Sequence, residues 1–136
     1  MEKYNYLKAI TKDIIDWMDR EGDPFDISQF EDREEAADFL CEELWEEDSI
    51  TGNGPYNYSD EFLSEEYLSH NIDLIIEACE AFGVNYEKLR QQYKNGMLAR
   101  YLDGAIRCYL LPQAVYEALK IWESYGFKYK NNVENI

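Results

Sequence analysis

One histidine, three cysteines and 29 carboxylates are the side chains in this 136-residue chain with the most obvious capacity for chemistry. His70 lies in SEEYLSHNIDL, with Glu66 four residues before it and Asp73 three residues after. On a helix these three share a face and could form an acid–base or metal site. The same pattern also describes an ordinary surface histidine among acids. Cys41, Cys79 and Cys108 are odd in number, form no CxxC and sit in apolar stretches. That predicts buried free thiols, not a disulfide framework. Zinc would require a fourth ligand and closer spacing.

Asp19, Glu21, Asp23 and Asp26 alternate roughly as in a calcium loop, but Gly22 and Pro24 fall in the wrong places. TGNG at 51–54 is too short for a phosphate loop and is followed by no Lys-Ser or Lys-Thr. A glycosidase needs two acids set across a cleft, and nothing marks out two among so many. No serine nucleophile elbow is present. The sequence therefore predicts a protein that is not an enzyme and uses no metal or cofactor.

Placement of the acids is more telling than their number. Residues 1–80 hold 24 acids and 5 bases, whereas residues 81–136 hold 5 acids and 8 bases. The net charge of −16 thus belongs to the first part of the chain. Such a field argues against nucleic acid or an anionic membrane as direct partners and attracts basic ones. Solubility is the plainer explanation of the same acidity.

The elements that must position these residues are helices. The composition is 46% hydrophobic and 15% aromatic, enough for a packed core. A first helix is predicted over about 4–20. Tyr6 or Leu7, Ile10, Ile14 and Trp17 or Met18 form its apolar stripe, with Asp13, Asp16 and Asp19 on the opposite side. Gly22 and Pro24 end it. A second helix over about 32–47 buries Ala36, Ala37, Leu40, Cys41, Leu44 and Trp45, with Phe39 widening the stripe. Its other face carries Glu34, Glu35, Asp38, Glu42, Glu43, Glu46 and Glu47. Like charges at i, i+4 there cost about 0.2–0.5 kcal/mol each. Acids in the last turn also oppose the helix dipole.

A loop over SITGNGPYNYS follows. A third helix from Ser59 or Ser64 to about Phe82 presents Leu63, Tyr67, Asn71, Leu74, Ile75, Ala78 and Phe82 on one face. A short basic helix covers about 86–94. A long stretch over about 97–125 is expected to be kinked or split at Pro112. Within it Asp103 and Arg107 stand at i, i+4, in the favourable order for an ion pair; alternatively Arg107 reaches across to acids of the second or third helix. The expected architecture is all-α, a single compact domain of five or six helices over 1–126, followed by a polar C-terminal tail over 127–136. With no signal pattern and no apolar run of membrane-spanning length, the expected location is the cytoplasm.

LCEELWEEDSITGNG (40–54), HNIDLIIEACEAFG (70–83) and AIRCYLLPQAV (105–115) resemble a group of small acidic proteins of bacterial phages and integrative elements. The resemblance covers roughly residues 32–122, and its motifs are moderately specific to that group. Pro112 and the long N-terminal helix stand apart from the group's pattern, so the acids before residue 40 draw no support from it. The group has no established activity and carries over no catalytic residue. The resemblance implies a mobile-element setting, in which small acidic proteins often interfere with host nucleases or regulate DNA transactions.

The expected function is binding of a basic protein, itself DNA-binding, with Glu34, Glu35, Asp38, Glu42, Glu43, Glu46 and Glu47 imitating the charge density of a DNA duplex. The alternative is a structural or regulatory domain that self-associates through its aromatic surface, its acidity serving solubility. A third reading, an enzyme or metal-binding protein, would use His70, Asp73 and Arg107.

Overall fold

A computed structural model describes residues 5–47, 50–51, 65–93 and 95–130, with the backbone alone described at 65–68, 95, 96 and 99. Among the described residues there are five α-helices, α1 (Tyr6–Met18), α2 (Arg33–Trp45), α3 (Glu65–Ala81), α4 (Tyr86–Gln92) and α5 (Asn95–Ser124), with one 3-10 turn at Ile27–Gln29 between α1 and α2. No strand occurs among the described residues. The start predicted for the third helix at Ser59 or Ser64, and the side chains of Leu63 and Tyr67, lie outside what is described.

Short polar side chains set the helix starts. Asn5 Oδ1 accepts from Lys8 N, Asp32 Oδ1 from Glu35 N and Asn85 Oδ1 from Lys88 N, each at 3.0 Å. Each such cap satisfies an amide with no partner inside the helix and contributes about 1 kcal/mol. Gly83 ends α3 with φ +69°. Its amide donates to Glu80 O, and Val84 N donates to Cys79 O. This double bond pattern needs a left-handed residue at Gly83, which a side chain would disfavour.

Helix α5 is the spine, packing against α1, α2 and α3, while α4 leans on α3. Tyr6, Ile10, Ile14 and Met18 of α1 are buried, as the apolar stripe predicts. From α2, Ala36, Ala37, Leu40 and Leu44 enter the core; from α3, Ile75, Ala78 and Cys79. Leu102, Ile106, Val115, Leu119 and Trp122 line the α5 side. No helix among the described residues is long and apolar enough to cross a membrane.

Several sequence expectations need correction. Pro112 does not split the last helix, and α5 runs through it unbroken. Pro112 removes one donor, so Cys108 O loses its usual partner, but Leu111, Ala114 and Val115 are buried around the proline. Their packing favours continuation of the helix, so that of the two outcomes expected at Pro112, a kink or a split, the split does not occur. Phe82 is not a core residue but 42% exposed at the end of α3. Asp13 is half-buried, its carboxylate paired with Arg107 of α5.

Residues 127–130, read from the sequence as the start of a polar tail, lie against the body. Phe127 stacks on Trp122 with ring centroids 4.7 Å apart, and Tyr129 is buried. Lys130 N donates to Phe30 O at 2.9 Å. Residues 131–136 lie outside the described residues.

Candidate functional site

The wheel of α2 divides its surface into three parts. At about 100° per residue, Ala36, Ala37, Leu40 and Leu44 point into the core. Glu34, Asp38, Cys41 and Trp45 recur at i, i+4, i+7 and i+11 and run down one flank. Glu35, Glu42 and Glu46 form the crown, and Phe39 and Glu43 run down the other flank. Glu34, Glu35, Asp38, Glu42, Glu43 and Glu46 are all exposed, and Glu47, just past the helix, is half-buried. Among the described residues no cation makes an ion pair with any of the six exposed ones. Glu35 also serves the helix locally, since its Oε2 accepts from Glu31 N at 3.3 Å and joins Asp32 in fixing the start of α2.

Both flanks of this ridge border concave surface. On one side a groove of about 340 Å³ is lined by Trp45, Phe82, Arg100, Tyr101, Gly104, Ala105 and Cys108. Trp45 and Phe82 meet edge to face at 6.0 Å, and Tyr101 stacks on Tyr93. On the other side a hollow of about 370 Å³ is bordered by Trp17, Arg20, Phe25, Phe30, Phe39 and Glu43, among others. Its rings pack on one another, Phe25 stacked on Phe30 at 5.4 Å and Phe30 tilted against Phe39 at 5.3 Å, and Arg20 covers Trp17 at 3.9 Å. The aromatic faces there are largely satisfied.

A third concavity, about 810 Å³, lies between α1 and the end of α5, with Leu7, Ile15, Ile121 and Tyr125 in its walls. Of its charged lining residues, Lys12 pairs with Asp16 and Glu117 with Lys120, and Lys8 also lines it.

The alternative site fares differently. His70 is half-buried and Asp73 exposed on α3. Arg107 is 2% exposed and committed elsewhere. Its Nη1 donates to Ile50 O at 2.9 Å and to Asp13 Oδ2 at 3.3 Å. Its Nε stands 3.5 Å from Asp103 Oδ2, within ion-pair range but without a well-formed hydrogen bond. Tyr6 donates its hydroxyl to Asp103 Oδ1 at 2.9 Å. Among the described residues Arg107 therefore pairs with acids of its own helix and of α1, and with none of the second or third helix. This cluster holds α1, α5 and the turn after α2 together. Among the described residues no group of three or more His, Cys, Asp or Glu side chains is arranged to hold a metal ion.

The cysteines are free thiols. Cys79 is buried, whereas Cys41 and Cys108 are half-buried, and desolvation pushes all three thiols above their usual pKa. Raised thiol pKa values suit structural cysteines, not nucleophiles.

Sequence reasoning missed Trp45 and Phe82 as surface groups, reading both as core, and did not single out Tyr101. The available signal lay on the wheel, where Trp45 stands well off the direction shared by Leu40 and Leu44. No family model, curated protein or solved structure matches the chain.

Proposed function

We propose that this protein acts by binding, its α2 carboxylate ridge engaging the basic surface of a protein that itself binds DNA. The supporting observation is the spacing along α2 of exposed carboxylates that pair with no cation among the described residues. Glu34 to Glu46 spans about 18 Å at 1.5 Å per residue, so six carboxylates give roughly one charge per 3 Å of axis. A single DNA strand presents one phosphate per ~3.4 Å. A lysine- or arginine-lined groove would meet a comparable charge density on this helix.

The helix keeps this arrangement against its own stability, since repulsion at i, i+4 and acids near its C-terminus both disfavour it. In the mobile-element setting that the resemblance implies, the partner would be a host nuclease or a regulator of DNA transactions.

The test is capture on the immobilised protein, compared with a D38K/E42K/E46K variant, with elution by salt and competition by duplex DNA. Partners are expected to be released between roughly 50 and 500 mM salt, to be displaced by duplex DNA, and to be lost in the variant. Capture that is indifferent to salt and retained by the variant would exclude the reading.

A further inference from the structure

Trp45 is 46% exposed, Phe82 42% and Tyr101 38%, and the three border one groove. Grouped around one groove they form an apolar patch, and Trp and Tyr are frequent anchors of protein interfaces. Gly104 and Ala105 provide little bulk on the α5 side, so the groove is an open concavity of about 340 Å³ with room for aliphatic side chains laid across it.

The charge beside the groove selects among occupants. Trp45 shares its flank of α2 with Asp38 and Glu34, and Glu42 stands on the adjoining crown. Among the described residues Arg100 is the one charged side chain that lines the groove, on the wall opposite α2, and the carboxylates stand outside it along the α2 flank and crown. A second copy of this chain would suit the aromatic rings poorly. A two-fold contact through this face would bring two acidic α2 helices together, and like-charge juxtaposition across an interface is costly.

We propose that the Trp45 groove receives the apolar face of a lysine- or arginine-bearing amphipathic helix, whose basic residues lie along Asp38 and Glu42. Helices of this type dock in grooves through anchors at i, i+3 or i+4, and i+7. The inference rests on the acidic-ridge reading and adds the form of the partner to it.

The experiment uses two labelled synthetic peptides of about 18 residues, enough for five helical turns. One places Leu and Lys at amphipathic spacing; the other is a scrambled isomer of the same composition and charge. Fluorescence anisotropy is read with the full chain and with Trp45→Ala, Phe82→Ala and Asp38→Asn/Glu42→Gln. The aromatic side chains are exposed, and circular dichroism checks that the variants fold.

The amphipathic peptide is expected to bind about tenfold or more tightly than its isomer, and either aromatic variant to remove most of that difference. The carboxylate variant should weaken both peptides. Equal binding of the two isomers, unaffected by Trp45→Ala and Phe82→Ala, overturns the groove while leaving the acidic ridge in place. Failure of both peptides to bind at low salt overturns the ridge as well. A concentration-dependent dimer of the free chain that Trp45→Ala abolishes assigns the groove to a second copy and overturns the proposal.

Discussion

Arg107 on α5 donates from Nη1 to Asp13 on α1 at 3.3 Å, across 94 positions of sequence. The same guanidinium binds Ile50 O and stands beside Asp103, which is itself 1% exposed. Removing one partner of a buried ion pair leaves the other charge unneutralised. Arg107→Met is therefore expected to destabilise the fold by about 3–5 kcal/mol. Urea denaturation checks this, with Arg20→Met as the control: Arg20 pairs with Asp23 at the surface and should cost under about 1 kcal/mol. Equal effects of the two substitutions would remove Arg107 from its structural role.

A second long-range pair fastens the C-terminal segment. Arg33 grips Glu123 through two bonds, Nε to Oε2 at 2.8 Å and Nη2 to Oε1 at 2.6 Å, and Tyr129 donates to the same carboxylate at 2.6 Å. The Arg33 hydrogen bond, helped by that from Tyr129 and by the nearby positive charge, lowers the Glu123 pKa despite burial. Burial, then the bond to Glu123, raises that of Tyr129. Since Glu123 is depressed in the fold, its contribution is complete above the ordinary carboxylate value of 4.5 and is lost as pH falls through the lower folded value. Tyr129 is shifted upward, so its contribution is complete below 10.0 and is lost as pH rises beyond it. Stability against pH should show both limbs, and Glu123→Gln should flatten the acid one and weaken the alkaline one.

Phe127 and Tyr129 give the segment after Gly126 an apolar hold on the body, through the Trp122 stack and burial of the Tyr129 ring. Ending the chain at Gly126 should cost about 2–4 kcal/mol, from one fully buried and one half-covered aromatic side chain. Thermal unfolding of the shortened chain measures this. An unchanged midpoint would show that the segment adds nothing to stability.

Glu46 caps the C-terminal end of α2, where the helix dipole favours a cation. Glu46→Lys is expected to stabilise the protein by about 0.3–1 kcal/mol. The proposed binding of a basic partner should weaken in the same variant. Paired measurements of melting temperature and affinity test both halves. A variant that gains stability with undiminished affinity would separate Glu46 from the binding surface.

Much of the fold was legible because it depends on local periodicity. Tyr6, Ile10, Ile14 and Met18 repeat at i, i+4, i+8 and i+12, and such a pattern can bury itself in one way only: as a helix with that stripe inward. The acidic ridge was legible for the same reason, since the carboxylates of α2 occupy the positions its buried stripe leaves. Gly83 and Gly126 marked the ends of two helices because a left-handed residue favours glycine there.

What the sequence by itself determined is therefore the helices, their inward stripes and the concentration of charge on α2. Tertiary structure alone decided which polar residues turn inward and which aromatic ones stay out. Asp13 looks like any surface acid until α5 brings Arg107 to it. Trp45 and Phe82 look like core until α2 and α3 settle beside α5 and leave a groove between them. Pro112 looks like a break until neighbouring side chains pack both halves of α5 into one continuous helix. For Asp13, Trp45 and Phe82 the deciding partner lies far along the chain, and for Pro112 it is the burial of its neighbours in the core, which no local window contains.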